Sequence, residues 1–450
     1  MKNKQLHSLI LKYKSPGNRY AYYPSYRAWR TSGPKTAEDY SMALKKLPDH
    51  GPISLYLHLP FCESLCTFCG CNIQVTKDHS KEEKYLEMVL KEWDYILQHS
   101  SDLTIHSLYI GGGTPNFFQA KNLEKLLTGI LGKIKCSDDF YACCEIDPRF
   151  LSLPQIEVLT KMRILHYALG VQDLSPKVMQ NVNRPQELEQ IAQACSLIKK
   201  YPQTTVSFDL IYGLPHQNSE SFTHTIDTLL GLEPDGFSFY PLAMAPWLRH
   251  HQDALGDFSA LTNEIKTELE VSAIERMQES NYSCLGMGHF YKAGPLATTS
   301  NLGRNLSGHL PFKSSCMIGL GVSAFTIMPS IFWQNEKILE KYSDAINLKG
   351  HAVNLVHSPN AHELFLKDFF EKIICDKQLS QYDMESFYQH LSGAPKESLK
   401  VHEYLLHALK EDGLIEMSGE TKNASLRVTE MGNHFLKNIC QAFDPQVFMP

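Results

Sequence analysis

The stretch from Ser54 to Cys71 decides the fold, and it reads SLYLHLPFCESLCTFCGC. Its first six residues form a short apolar run, Ser54 to Leu59, which predicts a buried β-strand. The loop that follows carries three closely spaced cysteines, Cys62, Cys66 and Cys69. The chemistry of the chain is therefore expected to begin where this strand ends.

The spacing Cys-x3-Cys-x2-Cys places three thiolates on one tight loop. Three thiolates can hold three irons of a 4Fe–4S cube and leave the fourth iron open, and thiolates are the ligands that such clusters need. A structural zinc ion would require a fourth ligand, for which Cys71 is the nearby candidate. The spacing favours an iron–sulfur cluster over zinc and leaves both open.

Outward from this loop, strands and amphipathic helices alternate about six times, which predicts parallel strands joined by right-handed crossovers. The predicted strands are Ser54 to Leu59, Ser107 to Ile110, Ala142 to Ile146, His166 to Val171, Thr205 to Ile211 and Gly236 to Tyr240. The predicted helices are Glu82 to Gln98, Lys121 to Ile134, Gln155 to Met162, Glu187 to Lys200 and Ser219 to Leu232.

Glycine-rich and polar residues follow almost every predicted strand. Gly111-Gly112-Gly113-Thr114-Pro115 follows the second strand, Glu145 and Asp147 the third, Gln172 the fourth, Asp209 the fifth and Ala243 the sixth. A βα barrel builds its active site at this end of its strands. Six units cannot close an eight-stranded barrel, so the sequence predicts an α/β fold with a partial (βα)6 barrel.

Length, charge and composition bound the rest of the chain. Its 450 residues and net charge of −6 fit a large globular protein and speak against sequence-independent binding of nucleic acid. We expect an N-terminal arm over 1–50, the barrel with a substrate-side extension over 51–350, and a helical, winged-helix-like domain over 351–450. In that last domain the pattern predicts a helix at Val401 to Leu414, two short β-like runs at Ile415 to Met417 and Ser425 to Thr429, and a closing helix near 430–443. Twelve cysteines and no N-terminal stretch of signal-peptide length predict free thiols and a cytoplasmic location. The uncharged run 314–335 is interpreted as buried strand and loop, and not as a membrane span.

The three-cysteine spacing, Phe68 before Cys69 and the glycine turn resemble the radical S-adenosylmethionine enzymes. Within that superfamily, the resemblance narrows to the oxygen-independent coproporphyrinogen III oxidase family. The motifs that carry this resemblance are Cys69-Gly70-Cys71-Asn72, Gly111 to Pro115, Glu145 to Arg149, Gly170 to Asp173, Val182 to Arg184, Asp209 to Pro215, Gly286 to Phe290 and Gly319 to Ala324.

The resemblance implies a site with two S-adenosylmethionine molecules and a 4Fe–4S cluster on Cys62, Cys66 and Cys69. The open iron would take the amino and carboxylate groups of the first molecule, with Tyr56 and Glu145 as candidate catalytic residues. Residues implied at the first molecule are Tyr56, Gly112, Glu145 and Phe325. Residues implied at the second are Phe68, Gly113, Thr114, Gln172, Arg184, Asp209 and Ala243.

The same resemblance implies the reaction. A 5′-deoxyadenosyl radical would take hydrogen from two propionate groups of coproporphyrinogen III, and loss of carbon dioxide would leave the vinyl groups of protoporphyrinogen IX in porphyrin and heme biosynthesis. A low-potential flavodoxin- or ferredoxin-like protein would supply electrons to a monomeric enzyme. Arg19, Arg149 and Arg304 are candidates to meet propionates, because guanidinium groups suit carboxylates.

This chain departs from the family pattern in several places on the substrate side. The family's Phe-Gln-Gly-Tyr-Thr-Thr stretch reads Leu306 to Pro311 here, and His309 stands in the position of its tyrosine. Other departures are Leu242, Met244, Gly288 and Phe325. The alternative therefore stays open that the chain is a related radical S-adenosylmethionine enzyme, or a heme chaperone, that acts on another substrate.

Overall fold

A computed structural model describes residues 2–14, 20, 23–24, 29–31, 36–100, 102–246, 249–256, 261–329, 331–391, 395–419 and 423–448. The strands are β1 (Arg30–Thr31), β2 (Ile53–Leu59), β3 (Phe61–Cys62), β4 (Gln74–Val75), β5 (Thr104–Gly112), β6 (Lys135–Ile146), β7 (His166–Gln172), β8 (Thr205–Tyr212), β9 (Gly236–Pro241), β10 (Ser283–Gly286), β11 (His289–Tyr291), β12 (Gly303–Asn305), β13 (Gly308–Leu310), β14 (Met317–Leu320), β15 (Phe325–Met328), β16 (Ile331–Asn335), β17 (Val353–His357), β18 (Gln378–Leu379), β19 (Ile415–Ser418) and β20 (Ser425–Val428).

The α-helices are α1 (Lys2–Lys12), α2 (Thr36–Lys45), α3 (Ser80–His99), α4 (Ala120–Leu131), α5 (Leu153–Lys161), α6 (Pro176–Asn181), α7 (Leu188–Lys199), α8 (Ser219–Leu230), α9 (Asn263–Glu279), α10 (Pro295–Thr298), α11 (Leu339–Lys349), α12 (Ala361–Glu371), α13 (Gln381–His390), α14 (Lys396–Glu411), α15 (Leu436–Ala442) and α16 (Pro445–Phe448). Short 3-10 helices lie between several of them, among them His250–Leu255 and Met431–Phe435.

The six predicted barrel strands are confirmed as β2, β5, β6, β7, β8 and β9, which pair in this order and all in parallel. The predicted crossover helices are confirmed as α3, α4, α5, α7 and α8. The short helix α6 between β7 and α7 was not predicted, because it is one and a half turns long and its pattern is too brief to detect. The predicted partial (βα)6 barrel is therefore present.

The sheet continues beyond β2 on its other side. Strand β14 pairs in parallel with β2, and β15, β16, β17 and β1 then follow in antiparallel order. The uncharged run 314–335 is thus strand and loop, as predicted, but it contains β14, β15 and β16 where one strand was expected. Positive φ angles at Gly321 and Ser323 allow the sharp return between β14 and β15.

The chain divides into two compact units, and this division differs from the boundaries predicted at 50/51 and 350/351. The barrel unit comprises residues 28–269 and 314–358, and the second unit comprises 1–27, 270–313 and 359–450. The difference has a topological cause. The chain leaves the barrel unit after Leu269 and returns to it at Ser314, so neither unit is one continuous segment. The predicted arm over 1–50 is likewise shared between the two units.

The second unit contains the predicted C-terminal helix and strand pair. Helix α14 precedes β19 and β20, which pair antiparallel with Ile415 opposite Val428, and the short strand β18 joins β20 on its other edge. The predicted closing helix, 430–443, is divided into the 3-10 helix Met431–Phe435 and helix α15. Among the helices of the described segments, none has the length and apolar character that crossing a membrane requires.

Helix α3 fixes one edge of the barrel through a buried carboxylate. Its inner face buries the apolar side chains of Tyr85, Leu86, Val89, Trp93 and Ile96, together with the carboxylates of Glu82 and Glu92. The Glu92 carboxylate accepts hydrogen bonds from the amide of Gly321 at 2.8 Å, the amide group of Asn335 at 2.6 Å and the hydroxyl of Tyr342 at 2.8 Å. Burial, opposed by these hydrogen bonds, raises the pKa of Glu92 to about 7.

We predict that Glu92→Gln destabilises the chain by about 1–3 kcal/mol, because an amide N–H would then face groups that are themselves donors. The effect depends on pH. A carboxyl group with a raised pKa in the folded state binds more protons folded than unfolded, so its contribution to stability falls as pH rises from about 4.5 to about 7. Urea denaturation at several pH values should show that the wild type loses this increment and that the variant does not. Glu87→Gln, at an exposed position of the same helix, is the matched control. Equal pH profiles for wild type and Glu92→Gln would contradict the prediction.

Candidate active site

The three-cysteine loop begins directly at the carboxyl end of the first barrel strand. Strand β3, which follows β2, carries Cys62, and it pairs in parallel with β4 beyond the loop. Within the loop, the amide of Cys69 donates to the carbonyl of Cys66 at 3.0 Å. This turn brings the three cysteines onto one short piece of chain, with Cys66 buried, Cys62 and Cys69 half-buried and Cys71 exposed.

Residues from other strands reach two of these thiols. The Thr114 hydroxyl donates to the sulfur of Cys62 at 3.3 Å, and the Arg184 guanidinium lies 3.7 Å from the sulfur of Cys66. Burial raises the pKa of Cys62 to about 12 and also raises that of Cys66. A hydrogen bond with Cys71, opposed by burial, lowers the pKa of Cys69 to about 7. Because ligands bind iron as thiolates, loading this loop with a metal cluster releases protons.

The donor set fits an iron–sulfur cube better than a single zinc ion. Among the described residues, no three Cys, His, Asp or Glu side chains converge on a point where one ion would sit. A 4Fe–4S cube does not require such convergence, because each thiolate binds a different iron. The zinc alternative left open by the spacing therefore has no four-ligand site in the described parts of the chain.

The glycine turn after β5 packs against the start of the cysteine loop. The amide of Gly113 donates to the carbonyl of Leu59 at 2.7 Å, and that of Thr114 donates to the carbonyl of Phe61 at 2.9 Å. At Gly112, φ is +109°, and a Cβ there would lie 2.6 Å from the His58 ring. A side chain at this position would therefore be strained and would also clash, which explains why the turn consists of glycine.

Glu145 and Tyr56 each lie in a short chain of hydrogen bonds. The Glu145 carboxylate accepts from the Tyr109 hydroxyl at 2.7 Å and from the amide of Gly112 at 3.2 Å. Burial, opposed by these two bonds, raises the pKa of Glu145. Tyr56 contacts Nδ1 of His58 at 2.8 Å, while Nε2 of His58 lies 2.9 Å from the carbonyl of Asn72. A carbonyl only accepts, so His58 donates through Nε2 and the Tyr56 hydroxyl donates to Nδ1.

Asp147 is the central counter-ion of the site, and the sequence analysis did not assign it a role. Its carboxylate binds Arg149 at 2.7 Å and Arg184 at 3.0 Å; Asp147 and Arg184 are buried, and the side chain of Arg149 is 9% exposed. Burial would raise the pKa of Asp147, but Arg184 and Arg149 outweigh it and hold that pKa below its ordinary value. The sequence contained a signal for a functional role of Asp147, because this residue follows the third strand between Glu145 and Arg149. A buried double ion pair, however, depends on Arg184, which follows the fourth strand.

This arrangement bears on the expected ligand contacts of Arg149 and Arg184. Arg149 was a candidate for binding propionates, but its guanidinium is already bound to Asp147 through two nitrogens. Arg184 also donates to the carbonyl of Gly170 at 2.6 Å, and its buried Nε has no hydrogen-bond partner among the described residues. An unpaired donor on a guanidinium whose Nη1 lies beside the Cys66 sulfur fits a ligand with a carboxylate or another acceptor group.

The other predicted residues occupy several positions around this centre. Gln172 ends β7 with φ at +71°, a strained conformation for a residue other than glycine. Asp209 lies in β8, where burial and the charge of Glu145, opposed by a hydrogen bond with Ser238, raise its pKa to about 7. Ala243 follows β9 and is exposed.

Two predicted aromatic residues, Phe68 and Phe325, have apolar neighbours. Phe68 packs against a buried cluster formed by Val178, Met179, Val182, Leu214 and Leu255. Phe325 begins β15, and its ring lies 5.6 Å from that of Trp29. Arg304, a candidate for binding propionates, belongs to the second unit, and Arg19 lies outside the described residues.

Known proteins resemble this chain over its barrel and over its full length. The model of the Radical SAM superfamily matches residues 56–229. An anaerobic coproporphyrinogen III oxidase of Cereibacter sphaeroides is 30% identical over 367 residues, which cover 78% of this chain and 80% of that relative. The oxygen-independent coproporphyrinogen III oxidase of Salmonella typhimurium is 29% identical over 442 residues, 97% of this chain and 94% of the relative. The solved coproporphyrinogen III oxidase of Escherichia coli, described as a radical SAM enzyme, superimposes with a TM-score of 0.86, at 28% identity and 98% coverage of both chains.

We predict that Asp147→Ala costs about 3–5 kcal/mol of stability, because two guanidinium groups would stay buried without their counter-ion. Urea denaturation of the apoprotein measures this cost. Asp138→Ala, at an exposed position of β6, the strand that ends directly before Asp147, is the matched control and should change stability by less than about 0.5 kcal/mol. Equal losses in the two variants would show that Asp147 contributes no more than a surface charge.

Proposed function

We propose, on the premise that this chain belongs to the oxygen-independent coproporphyrinogen III oxidase family, that it converts coproporphyrinogen III to protoporphyrinogen IX by radical chemistry. The enzyme is a radical S-adenosylmethionine oxidoreductase of porphyrin and heme biosynthesis. One observation carries the assignment to this chain's own residues. The three-cysteine loop and the glycine turn meet at the carboxyl ends of two neighbouring parallel strands, with Thr114 and Arg184 against the thiols.

The family uses a 4Fe–4S cluster and S-adenosylmethionine, and we assign both to this site. Cys62, Cys66 and Cys69 would hold the cluster. Bound there, cluster and cofactor would supply one electron, cleavage of a carbon–sulfur bond and a 5′-deoxyadenosyl radical. Residues that would surround the first cofactor molecule are Tyr56, Gly112, Glu145 and Phe325. Those proposed for a second molecule are Phe68, Gly113, Thr114, Gln172, Arg184, Asp209 and Ala243.

The residues of this chain would bind and orient the ligands of the site. Arg184 is held by Asp147 and the carbonyl of Gly170, so its guanidinium is fixed before a ligand arrives. Its unpaired Nε would therefore bind a ligand acceptor at little entropic cost. Glu145 is fixed by Tyr109 and Gly112, and its carboxylate suits an ammonium group or ribose hydroxyls. The Tyr56 hydroxyl is oriented by His58, which keeps its proton at a defined position.

Each conversion of a propionate to a vinyl group removes one hydrogen atom, one electron and one molecule of carbon dioxide. Each propionate loses one hydrogen atom from the carbon next to the ring, its carboxylate leaves as carbon dioxide, and one electron passes to an acceptor, which leaves a vinyl group. We propose a low-potential flavodoxin- or ferredoxin-like donor for the cluster and a monomeric enzyme. A reducing compartment such as the cytoplasm suits the twelve cysteines, all of which are free thiols in the structure.

The substitutions in the Leu306 to Pro311 stretch favour a second candidate, a related radical enzyme or heme chaperone with the same cofactor half. His309, which replaces the family's tyrosine, is buried and lies 3.4 Å from Arg304 through Nδ1. Burial and the charge of Arg304 lower the pKa of His309, so it is neutral at physiological pH. A neutral imidazole can replace a phenol as a polar group but differs from it in shape, so we retain porphyrinogen as the substrate and test it directly.

The cluster assignment predicts different outcomes for four cysteines. Serine at Cys62, Cys66 or Cys69 should abolish the cluster, because an alcohol is a poor substitute for a soft thiolate ligand of iron. Cys71→Ser should leave it assembled, since Cys71 is exposed and outside the three-thiolate set. Iron and sulfide analysis of anaerobically reconstituted protein, with its visible spectrum, measures this. Stoichiometric zinc without iron–sulfur absorption would refute the assignment.

The substrate assignment predicts that anaerobic incubation with coproporphyrinogen III, S-adenosylmethionine and a reductant yields the divinyl product. Mass spectrometry should show loss of two carbon dioxide equivalents per porphyrinogen, together with 5′-deoxyadenosine. Arg184→Ala should keep the cluster yet slow turnover, because losing a buried charge-assisted pair costs about 2–5 kcal/mol. Formation of 5′-deoxyadenosine without a vinyl product would keep the radical chemistry and refute the substrate. Heme binding by that protein would then support the chaperone-like candidate.

A further inference from the structure

After β9, the last barrel strand, the chain turns back toward the cysteine loop. The amide of Arg249 donates to the carbonyl of Ala245 at 2.8 Å, and the 3-10 helix His250–Leu255 follows. Leu255 anchors this segment, because it is buried in the apolar cluster against which Phe68 packs. This apolar packing fixes the position of the segment, and its polar side chains contact the loop.

Three side chains of this segment donate to three successive carbonyls of the cysteine loop. Gln252 donates to the carbonyl of Phe68 at 3.1 Å, and His251 donates through Nε2 to that of Cys69 at 2.7 Å. Arg249 donates through Nε to the carbonyl of Gly70 at 3.1 Å. In this way every carbonyl from Phe68 to Gly70 has a side-chain donor, and all three donors come from one short segment.

Gln252 makes two further hydrogen bonds within the same network. Its amide nitrogen also reaches the carbonyl of Ala243 at 3.0 Å, and its oxygen accepts from the amide of Ala245 at 2.7 Å. The side chain is 1% exposed, so these bonds are made without competition from water. It joins the end of the sixth strand to Phe68, and both Phe68 and Ala243 belong to the set assigned to the second cofactor molecule.

We propose that Arg249, His251 and Gln252 are positioning residues that hold the backbone around Cys69 in place and adjust the reduction potential of the iron–sulfur cluster that Cys69 would bind. This inference rests on the proposed function. Gln252 and His251 fix the direction of the loop carbonyls, and hence of the Cys69 side chain. Arg249 adds a full positive charge at the adjacent residue. Net charge and nearby hydrogen-bond donors set the potential of iron–sulfur clusters, so this charge favours the reduced state.

Loop packing alone is the competing explanation, and it predicts a different result. If the segment only stabilised the loop, losing any one bond would loosen it without changing the potential of a bound cluster. The loop offers a matched control, because the Asn183 side chain donates to the carbonyl of Leu65 at 2.8 Å. That bond is of similar length, is uncharged and lies between Cys62 and Cys66, away from Cys69. His250, exposed and next to His251, controls for changes within the segment itself.

The first measurement uses the full-length apoprotein. Iodoacetamide alkylation under anaerobic conditions, followed by peptide mass spectrometry, gives a rate for each of Cys62, Cys66 and Cys69. His251→Ala should speed alkylation of Cys69 relative to Cys62 by about fivefold, the ratio expected from losing one ordinary hydrogen bond. His251→Gln restores a donor and should recover part of the protection. Asn183→Ala and His250→Ala should leave the Cys69 to Cys62 ratio unchanged.

The second measurement is the midpoint potential of the reconstituted cluster, followed by electron paramagnetic resonance. Arg249→Gln should shift the potential to a more negative value, whereas Arg249→Lys should keep it near the wild type. A potential that is the same in wild type and Arg249→Gln would overturn the effect on the potential and leave loop packing alone. Alkylation ratios that are unchanged in His251→Ala would overturn the proposed hold on the backbone around Cys69. Failure of the wild type to assemble an iron–sulfur cluster would instead refute the proposed function, so the two failures are distinguishable.

Discussion

The register between β2 and β5 is the constraint on which the site depends. The two strands pair so that Leu59 lies opposite Gly112, and the backbone hydrogen bonds continue beyond them from Gly113 and Thr114 to the first residues of the cysteine loop. A shift of one residue would turn every side chain of a strand to the opposite face. It would also separate the Thr114 hydroxyl from the Cys62 sulfur. The close approach is possible because Gly112 and Gly113 carry no side chains.

The sequence predicted the barrel well because the barrel repeats one local pattern. Each short apolar run followed by an amphipathic stretch indicates a strand and its crossover helix, and the carboxyl ends of parallel strands meet at one edge. Cys62, Cys66 and Cys69 could be proposed as metal ligands from spacing alone, since all three lie on one loop. The glycine turn could be assigned to the site because it follows the second strand. The structure explains the glycine at position 112, since a side chain there would clash with the His58 ring.

The remaining features depend on contacts between distant parts of the chain, which local patterns do not encode. Glu92 looks like an ordinary surface residue of an amphipathic helix, and it is buried because Asn335 and Tyr342 supply donors. Asp147 is bound to Arg184 as well as to the nearby Arg149, so two nitrogens of Arg149 are already occupied. The donors of the Arg249 to Gln252 segment follow the last barrel strand, far in sequence from the loop that they hold. In each case a polar side chain is buried because its partner is folded against it.

The pairing of β14 with β2 has a consequence for synthesis on the ribosome. Strand β2 is complete at Leu59, but the strand that covers its free edge begins at Met317. At roughly 5–20 residues per second, the ribosome needs tens of seconds to make the intervening chain. During that interval a nascent chain presents a bare, apolar strand edge, the kind of surface that recruits other strands. The strand that leads into the cysteine loop therefore stays open to chaperones, and to aggregation, until most of the protein has been made.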